Sequence, residues 1–497
     1  VIASVDNSHS LAVNTGKPFF KDSRGFLWYG TFGSGLYKID SDNGSISNYK
    51  HSPADPYSLS ENSINCIYED RSGVLWFGTF GAGISIFFPE AHIFELFKHD
   101  PADKNSLSSN FVWSVFEDND SSVWIGTNDK GLNHYSPRTG NFTFFDHQPD
   151  NPRSLSNSSV RKIFQDRNGT IWIGTDGGGL NKLDVSTGTF TRYLSDPNDP
   201  STLSNNSVRV IIEDHEGILW IGTREGLNRF DPVKQEFKRY FHSDDDSASL
   251  SNNFIYSVIY EDKNGYLWIG TYGGGLNKLN PWDETFTRYM NNPGDTESLS
   301  DNVVFSIYED SAGIFWLGTN SGLNRFDAVT EKFKRFGITE GLPNEVIYGI
   351  LPDENNNIWL STNFGLCRFS LTDYTTRNFT LNDGLQSNEF NGGAFHKGGS
   401  GHLYFAGVYG LNIINPEKVT LTENISEIVI TKLEILGNEV RVLPYSDRKN
   451  LKPVRNTIIN KEGTYFIPEN ISYTSEIILD YRERFFSLEF VALNTPV

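Results

Sequence analysis

Short apolar runs of about five residues alternate along this chain with polar segments rich in Asp, Asn, Ser and Gly. The stretch from Leu203 to Ser249 shows the pattern well. It holds four apolar or alternating runs at Val208–Ile212, Ile218–Thr223, Gly226–Phe230 and Phe237–Phe241. Runs of this length with turn residues between them predict β-strands, and no segment keeps the period of an amphipathic helix.

Tryptophan marks the repeat of this four-strand unit. Seven Trp residues follow one another at intervals of 48 positions and an eighth comes after 43: Trp28, Trp76, Trp124, Trp172, Trp220, Trp268, Trp316 and Trp359. Tyr404 stands 45 residues further on, where a ninth unit is expected. Four short strands repeated at this period predict propeller blades rather than a helical solenoid. We therefore predict an all-β protein built as a β-propeller of four-stranded antiparallel blades, with nine repeats in the chain.

An aspartate stands six residues before each of these Trp residues: Asp22, Asp70, Asp118, Asp166, Asp214, Asp262, Asp310 and Asp353. Asp can accept hydrogen bonds from its own turn backbone, which makes it a favourable turn residue. Because the residue recurs in every unit, we interpret these carboxylates as turn caps and not as catalytic groups.

Composition limits the partners. The 497 residues carry 42 basic and 62 acidic side chains, a formal net charge of −20, so we expect neither nucleic acid nor an anionic lipid surface as a partner. No apolar run reaches the length of a membrane-spanning helix. The chain starts at Val1 without a signal-peptide pattern, and we expect it to be a piece of something longer. Cys66 and Cys367 are expected to be small buried side chains.

The repeated pattern Asp-x-x-Gly-x-(Leu/Ile)-Trp-Ile-Gly-Thr, followed by Gly-Gly-Leu-Asn, resembles the two-component regulator propeller repeat over roughly residues 10–418. Residues 198–206 resemble its linking segment, and residues 384–391 look like the last blades of such sensors. Residues 419–497 resemble the start of the β-sandwich called the triple-tyrosine domain, chiefly at Arg484–Leu493.

This resemblance implies a function. Such modules form the periplasmic or extracellular sensor region of membrane histidine kinases, many of which detect polysaccharide breakdown products, and others precede diguanylate cyclases. It implies an oligosaccharide ligand, a membrane-anchored parent protein outside this chain, and a homodimer in the full receptor. A protein-interaction scaffold is the alternative that stays open.

The family pattern also suggests a division of the chain. Rings of seven blades are common in the family, so we predict two blades of an N-terminal propeller at 1–106 and a seven-bladed ring at 107–418. A truncated sandwich is predicted at 419–497. A single nine-bladed ring is the alternative.

Two sets of positions change chemistry from repeat to repeat, and both fall on the face that carries the second–third strand turns. Near the start of the innermost strand they are Trp113, Arg161, Arg209, Tyr256, Phe305 and Tyr348. In the turns they include Asp129, Arg224, Tyr272 and Tyr409. Aromatic rings can stack on sugars, and arginines can hold carboxylate or sulfate groups in two-pronged contacts. These ten residues are the candidate ligand-binding site. The alternative is that they only fill the channel mouth with solvated side chains.

Catalytic and metal sites are not expected. A glycosidase needs paired carboxylates in the central site, and the first-strand set contains none. The ten His residues show no metal-binding spacing, and we predict neither a metal nor a cofactor.

Overall fold

The computed structural model describes residues 18–41, 44–53, 58–70, 73–87, 94–419, 427–443, 458–461, 464–467, 477, 479 and 486–493. The chain divides into two compact units, one of residues 1–89 with 420–497 and the other of residues 90–419. Regular structure in the described residues is β, apart from three short 3₁₀ helices at Ile338–Glu340, Leu381–Asp383 and Pro416–Lys418. None of the described residues forms a helix long and apolar enough to cross a membrane. The all-β prediction is confirmed.

The first unit begins with two antiparallel sheets. The four-stranded sheet consists of β1 (Phe19–Lys21), β2 (Leu27–Gly30), β3 (Leu36–Ile39) and β4 (Ile46–Tyr49). The three-stranded sheet consists of β5 (Ile64–Glu69), β6 (Leu75–Thr79) and β7 (Ile84–Phe87). Their assignment to a separate propeller stays a prediction.

The second unit consists of seven four-stranded antiparallel sheets. Sheet 1 is β9 (Val112–Glu117), β10 (Val123–Thr127), β11 (Leu132–Ser136) and β12 (Asn141–Phe145). Sheet 2 is β13 (Val160–Gln165), β14 (Ile171–Thr175), β15 (Leu180–Asp184) and β16 (Thr189–Tyr193). Sheet 3 is β17 (Val208–Glu213), β18 (Leu219–Thr223), β19 (Gly226–Asp231) and β20 (Glu236–Tyr240). Sheet 4 is β21 (Ile255–Glu261), β22 (Leu267–Thr271), β23 (Leu276–Asn280) and β24 (Thr285–Tyr289). Sheet 5 is β25 (Val304–Glu309), β26 (Phe315–Thr319), β27 (Gly322–Asp327) and β28 (Lys332–Phe336). Sheet 6 is β29 (Ile347–Pro352), β30 (Asn357–Thr362), β31 (Gly365–Ser370) and β32 (Thr376–Phe379).

Sheet 7 takes its fourth strand from the other end of the unit. It consists of β33 (Phe390–Lys397), β34 (Leu403–Gly407), β35 (Gly410–Ile414) and β8 (Phe94–Phe97), with Leu411 opposite Phe97. The division at 106/107 places β8 with the N-terminal repeats, whereas here it completes sheet 7. The chain continues from β8 to β9, so the backbone hydrogen bonds between β8 and β35 connect the start of this unit to its last sheet.

The first strands of the seven sheets lie side by side and form a closed cycle, because β33 contacts both β29 and β9. They are therefore the innermost strands, as in a propeller, and the propeller architecture is confirmed. Apolar clusters fill the spaces between successive sheets: Trp220, for example, packs with Leu267 and Phe286 of sheet 4. Each sheet thus buries both faces against its neighbours.

The last described strands belong to the first unit and form two three-stranded sheets. They are β36 (Glu427–Ile435), β37 (Asn438–Glu439), β38 (Arg441–Val442), β39 (Ile459–Lys461), β40 (Thr464–Ile467) and β41 (Phe486–Leu493). The order is β37-β36-β41 in one sheet and β38-β40-β39 in the other. The predicted sandwich stays a prediction, and Arg484 and Phe485 of its signature lie outside the described residues.

The two cysteines differ in burial. Cys367 in β31 is buried and burial raises its thiol pKa to about 12, as the prediction of a packed side chain requires. Cys66 in β5 is exposed, so the prediction is wrong for this residue.

Candidate functional site

The candidate first-strand residues lie at β-bulges. In sheet 2, Val160 and Lys162 pair with consecutive residues of β14, which leaves Arg161 between them without a partner in that strand. The same interruption occurs in the first strands of the neighbouring sheets, at Trp113, Arg209, Tyr256 with Ser257, Phe305 and Tyr348. A bulge turns a side chain out of the regular alternation of the strand. These positions can therefore differ in chemistry while the rest of each strand stays in register.

A buried aliphatic residue anchors the strand just before each bulge. All six of these residues are fully buried: Val112, Val160, Val208, Ile255, Val304 and Ile347. Because close packing fixes these anchors, the side chains that follow them are held at defined places around the inner strands.

Arg161, Arg209 and Asp176 form the charged part of the site. Arg161 donates from Nε at 3.1 Å and from its terminal nitrogen at 2.7 Å to Oδ2 of Asp176. A terminal nitrogen of Arg209 lies 3.4 Å from both Asp176 oxygens, and Ser207 donates its hydroxyl to Oδ1 at 2.6 Å. One carboxylate in the second–third strand turn of sheet 2 thus orients two guanidinium groups.

Burial, hydrogen bonds and neighbouring charges together shift the pKa values of Asp176 and Arg209. Burial acts to raise the pKa of Asp176, but the Ser207 hydrogen bond and the charges of Arg209 and Arg161 outweigh it and hold the pKa below its ordinary value. Burial, together with the charge of Arg161, lowers the pKa of Arg209. The Nε of Arg209 is buried and has no hydrogen-bond partner. Two guanidinium groups therefore share one carboxylate and leave a donor unused.

Aromatic rings flank the arginines. The guanidinium carbon of Arg161 lies 3.8 Å from the ring centre of Trp113, whose indole N–H donates to Oδ1 of Asn128 at 2.9 Å. Arg209 and Arg224 each lie 5.7 Å from the ring centre of Phe254. Cation–π contact of this kind holds a guanidinium plane in place.

An arc of aromatic side chains continues from the arginines around the inner strands. Tyr256 contacts Phe305 at a ring separation of 5.3 Å, and Phe305 contacts Tyr348 at 5.1 Å. On the turn side, Tyr256 also contacts Tyr272 at 5.6 Å. Burial raises the pKa of the Tyr256 and Tyr348 hydroxyls. Phe305 is only 4% exposed, so its ring supports the neighbouring tyrosines and offers no free face to a sugar.

Sheet 7 contributes backbone in place of a side chain. The pairing of β33 with β34 breaks between Phe390 and Phe395, so residues 391–394 leave the ladder. A Cβ placed on Gly392 would lie 2.7 Å from Cε1 of Tyr256 and 3.3 Å from Cδ1 of Tyr348. This glycine loop therefore packs directly against the tyrosines, although they belong to sheets 4 and 6.

Phe254 also contacts Tyr256 at a ring separation of 5.7 Å, which joins the arginines to the tyrosines. Eight of the ten predicted residues therefore lie in one connected group: Trp113, Arg161, Arg209, Arg224, Tyr256, Tyr272, Phe305 and Tyr348. Asp129 is exposed in its turn, and Tyr409 is 60% exposed in the corresponding turn of sheet 7. We refer to the connected group, with Asp176 and Phe254, as the arginine–aromatic cluster.

Sequence reasoning missed three members of this neighbourhood. Asp176 stands in a variable second–third strand turn but is absent from the ten predicted residues, although its two arginines both occupy predicted positions. Phe254 precedes the anchor Ile255, and its carbonyl accepts from the Tyr272 backbone at 2.8 Å. Gly392 has no side chain to vary, so variation among the repeats could not mark it.

The arginine–aromatic cluster is suited to binding an anion. It contains three arginines and one carboxylate, within a protein whose net charge is −20. Asp176 is the one carboxylate of the cluster, and it is paired with two arginines. The cluster therefore does not contain the two carboxylates that glycoside hydrolysis needs. No group of metal-ligating side chains occurs among the residues that the structure describes. The arrangement can hold a charged group beside aromatic rings.

Comparison with known proteins identifies the repeats. Seven segments match the two component regulator propeller family, at residues 58–81, 106–129, 154–177, 202–225, 249–273, 298–321 and 341–364. A search of curated proteins finds no match to this sequence.

Solved structures share the fold. The extracellular domain of a B. thetaiotaomicron protein assigned as a hybrid two component system is 26% identical, with a TM-score of 0.65 over 95% of this chain and 63% of that domain. A second B. thetaiotaomicron extracellular domain, assigned to a one component system, is 23% identical, with a TM-score of 0.54 over 96% of this chain and 60% of that domain. PorZ of Porphyromonas gingivalis, a component of the type-IX secretion system, is 14% identical, with a TM-score of 0.50 over 95% of this chain and 69% of its own. The chain spans less than two thirds of the first two domains.

Proposed function

We propose that this chain, which carries two-component regulator propeller repeats, is the ligand-sensing extracytoplasmic region of a two-component sensor. Its solved relative at 26% identity is the extracellular domain of a protein assigned as a hybrid two component system. A sensor region of this kind binds a ligand and carries out no chemistry itself. The parent protein would be a membrane-anchored histidine kinase, with this region on the periplasmic or extracellular side; a diguanylate cyclase is the alternative output.

We propose an oligosaccharide bearing a carboxylate or sulfate group as the ligand. The observation that carries this is the pairing of Arg161 and Arg209 on the single carboxylate of Asp176. An anionic substituent supplies acceptors for two guanidinium groups that are already oriented. Trp113 and the exposed edge of Tyr272 offer aromatic surface for the sugar ring.

Signalling requires that the ligand distinguish two states of the receptor, because equal affinity for both would shift nothing. We propose that the bound state is passed through the region that starts at 419 to a kinase outside this chain, within a homodimeric receptor. A ligand contact made by Arg209, whose terminal nitrogen lies 3.4 Å from Asp176, would be one source of that difference in affinity.

The test is a thermal-shift titration of the purified chain with paired neutral and acidic oligosaccharides. A ligand that binds only the folded state adds about 2.7 kcal/mol of stability at one hundred times its Kd. We expect acidic members of a pair to raise the Tm and their neutral counterparts to do so weakly.

Two variants locate the binding site. Arg161→Lys keeps the charge but loses the two-pronged geometry, and we expect it to weaken binding. Arg138→Lys makes the same change at an exposed arginine in the third–fourth strand turn of sheet 1, so it is the matched control and should leave binding unchanged. Equal loss in both variants, or no shift with any oligosaccharide, would favour a protein-interaction scaffold.

A further inference from the structure

A pocket of about 320 Å³ opens at the edge of sheet 1, and none of its lining residues belongs to the arginine–aromatic cluster. Its walls are the linking segment that precedes β9 and, from the sheet itself, Lys130, Phe144 and Asp146. The pocket lies where sheet 1 differs from the other repeats.

In sheets 2 to 5 an arginine of the fourth strand reaches the linking segment of its own sheet. In sheet 2, Arg192 donates to the carbonyl oxygens of Ser154, at 3.1 and 2.9 Å, and of Asn151, at 2.9 Å. The equivalent arginines make the same kind of contact: Arg239 in sheet 3, Arg288 in sheet 4 and Arg335 in sheet 5. In each of these four sheets, a guanidinium group therefore holds the linking segment against the fourth strand.

Sheet 1 has Phe144 where these sheets have arginine. Each arginine stands opposite an Asn of the third strand, as Arg192 stands opposite Asn181, and in sheet 1 the residue opposite Asn133 is Phe144. The linking segment is nevertheless built in the same way. The hydroxyl of Ser106 donates to the carbonyl of Asp103 at 2.8 Å, as that of Ser154 does to Asn151 at 2.9 Å.

The acceptors that a guanidinium meets in the other sheets are therefore present at the pocket. By equivalence with Ser154 and Asn151, they are the carbonyl oxygens of Ser106 and Asp103. Ser108 also lines the pocket. Its hydroxyl is buried and has no hydrogen-bond partner, whereas the corresponding hydroxyl of Ser156 accepts from Asn181 at 2.7 Å.

We propose that this pocket binds a guanidinium group carried by a separate molecule, in the place that the chain's own arginines occupy in sheets 2 to 5. The Ser106 and Asp103 carbonyls would accept its N–H groups, and the ring of Phe144 would lie beside the cation. Three carboxylates, of Asp100, Asp103 and Asp146, face two ammonium groups, of Lys104 and Lys130, so the lining carries a small net negative charge.

The geometry selects a guanidinium over a simple ammonium. The carbonyl oxygens are arranged for a flat donor with several N–H groups, and an ammonium presents its donors around a single point. This inference goes beyond the proposed sensor function and does not depend on it. The pocket and the arginine–aromatic cluster meet only at one turn, where Lys130 lines the pocket and Asn128 accepts from Trp113.

The experiment is saturation-transfer NMR of the full chain with N-ethylguanidinium, and with N-ethylurea as the uncharged ligand of similar shape. We expect transfer to N-ethylguanidinium and little to N-ethylurea. In Phe144→Arg the chain supplies its own guanidinium, so the signal should be lost while the thermal midpoint stays the same or rises. Equal signals from wild type and this variant would overturn the proposal, as would no transfer in the wild type.

A second variant creates the pocket elsewhere. Arg239→Phe removes the guanidinium of sheet 3 and should add a second binding site, seen as increased transfer from the same ligand. A blocked Gly-Arg-Gly peptide separates the two sources of the group. If it competes with N-ethylguanidinium, the pocket accepts an arginine side chain of a protein; if it does not, the pocket admits only small free guanidinium compounds.

Discussion

Each Trp of the repeat donates its indole N–H to the Asp six residues before it. The bond is present in all eight units, with distances between 2.7 and 3.1 Å. The other carboxylate oxygen of Asp214 accepts from the backbone of Glu216 at 3.0 Å and of Ile218 at 2.9 Å. One side chain therefore closes the turn and satisfies a buried indole, which confirms the interpretation as turn caps.

We expect Asp214→Ala to lower the free energy of unfolding by about 2 kcal/mol, because the buried N–H of Trp220 would lose its acceptor. Urea unfolding followed by Trp fluorescence measures the change. Glu216→Ala alters an exposed residue of the same turn and should have little effect. If the two variants had equal stability, the Asp–Trp bond would not be a stabilising feature of the repeat.

At the scale of elements, the inner strands differ from one another mainly at their bulges. In sheets 1 to 6 the interruption is short and presents a side chain to the cluster, whereas in β33 it spans residues 391–394. Asn391 in this loop donates to the carbonyl of Val112 in β9 at 2.7 Å. The longer bulge thus connects sheet 7 to sheet 1 and supports the tyrosines of the site.

We expect Gly392→Ala to lower the free energy of unfolding by about 1–3 kcal/mol, since an added methyl group would overpack the ring of Tyr256. The matched control is Gly399→Ala, where a Cβ would meet no atom within 4 Å. Thermal unfolding of the two variants checks the prediction. A midpoint for Gly392→Ala as high as that of the control would mean that the loop yields easily to the ring.

At the scale of the molecule, the closed unit depends on contacts between sheets that are far apart in sequence. Glu117 at the end of β9 accepts from the hydroxyls of Tyr404 and Ser400, each at 2.7 Å. Strand β8 completes sheet 7, and Phe94 within it is only 4% exposed. Side-chain and backbone bonds therefore hold the two ends of the ring together.

We expect a fragment of residues 90–419 to unfold in one cooperative thermal transition, because it contains every strand of the seven sheets. A fragment of residues 107–419 lacks β8, which leaves the edge of β35 unpaired and removes Phe94 from the core. It should unfold at a lower temperature and aggregate more readily.

Calorimetry and light scattering of both fragments measure the difference. Equal midpoints for the two would show that β8 adds nothing to closure and would favour the boundary at 106/107. A lower midpoint for the shorter fragment would favour the boundary at 89/90.

Much of this protein can be read from its sequence alone. The spacing of Trp and of the Asp six residues before it determined the all-β class, the propeller architecture and the role of the turn carboxylates. Variation at a fixed place in the repeat also located the inner-strand positions, and residues such as Arg161 and Tyr256 do lie in one connected group. Local patterns suffice here because each strand and turn is formed by residues close in sequence.

The tertiary structure decided what depends on contacts between repeats. Pairing of β8 with β35 joins residues more than three hundred positions apart, and no local pattern marks it. Three other features also depend on residues of more than one sheet. Arg161 and Arg209 share Asp176, Phe305 is buried, and Gly392 packs against Tyr256. The repeat sequence determines the strands and turns of each blade. Which side chains of different blades come into contact depends on closure of the ring, and closure requires all seven sheets to pack together.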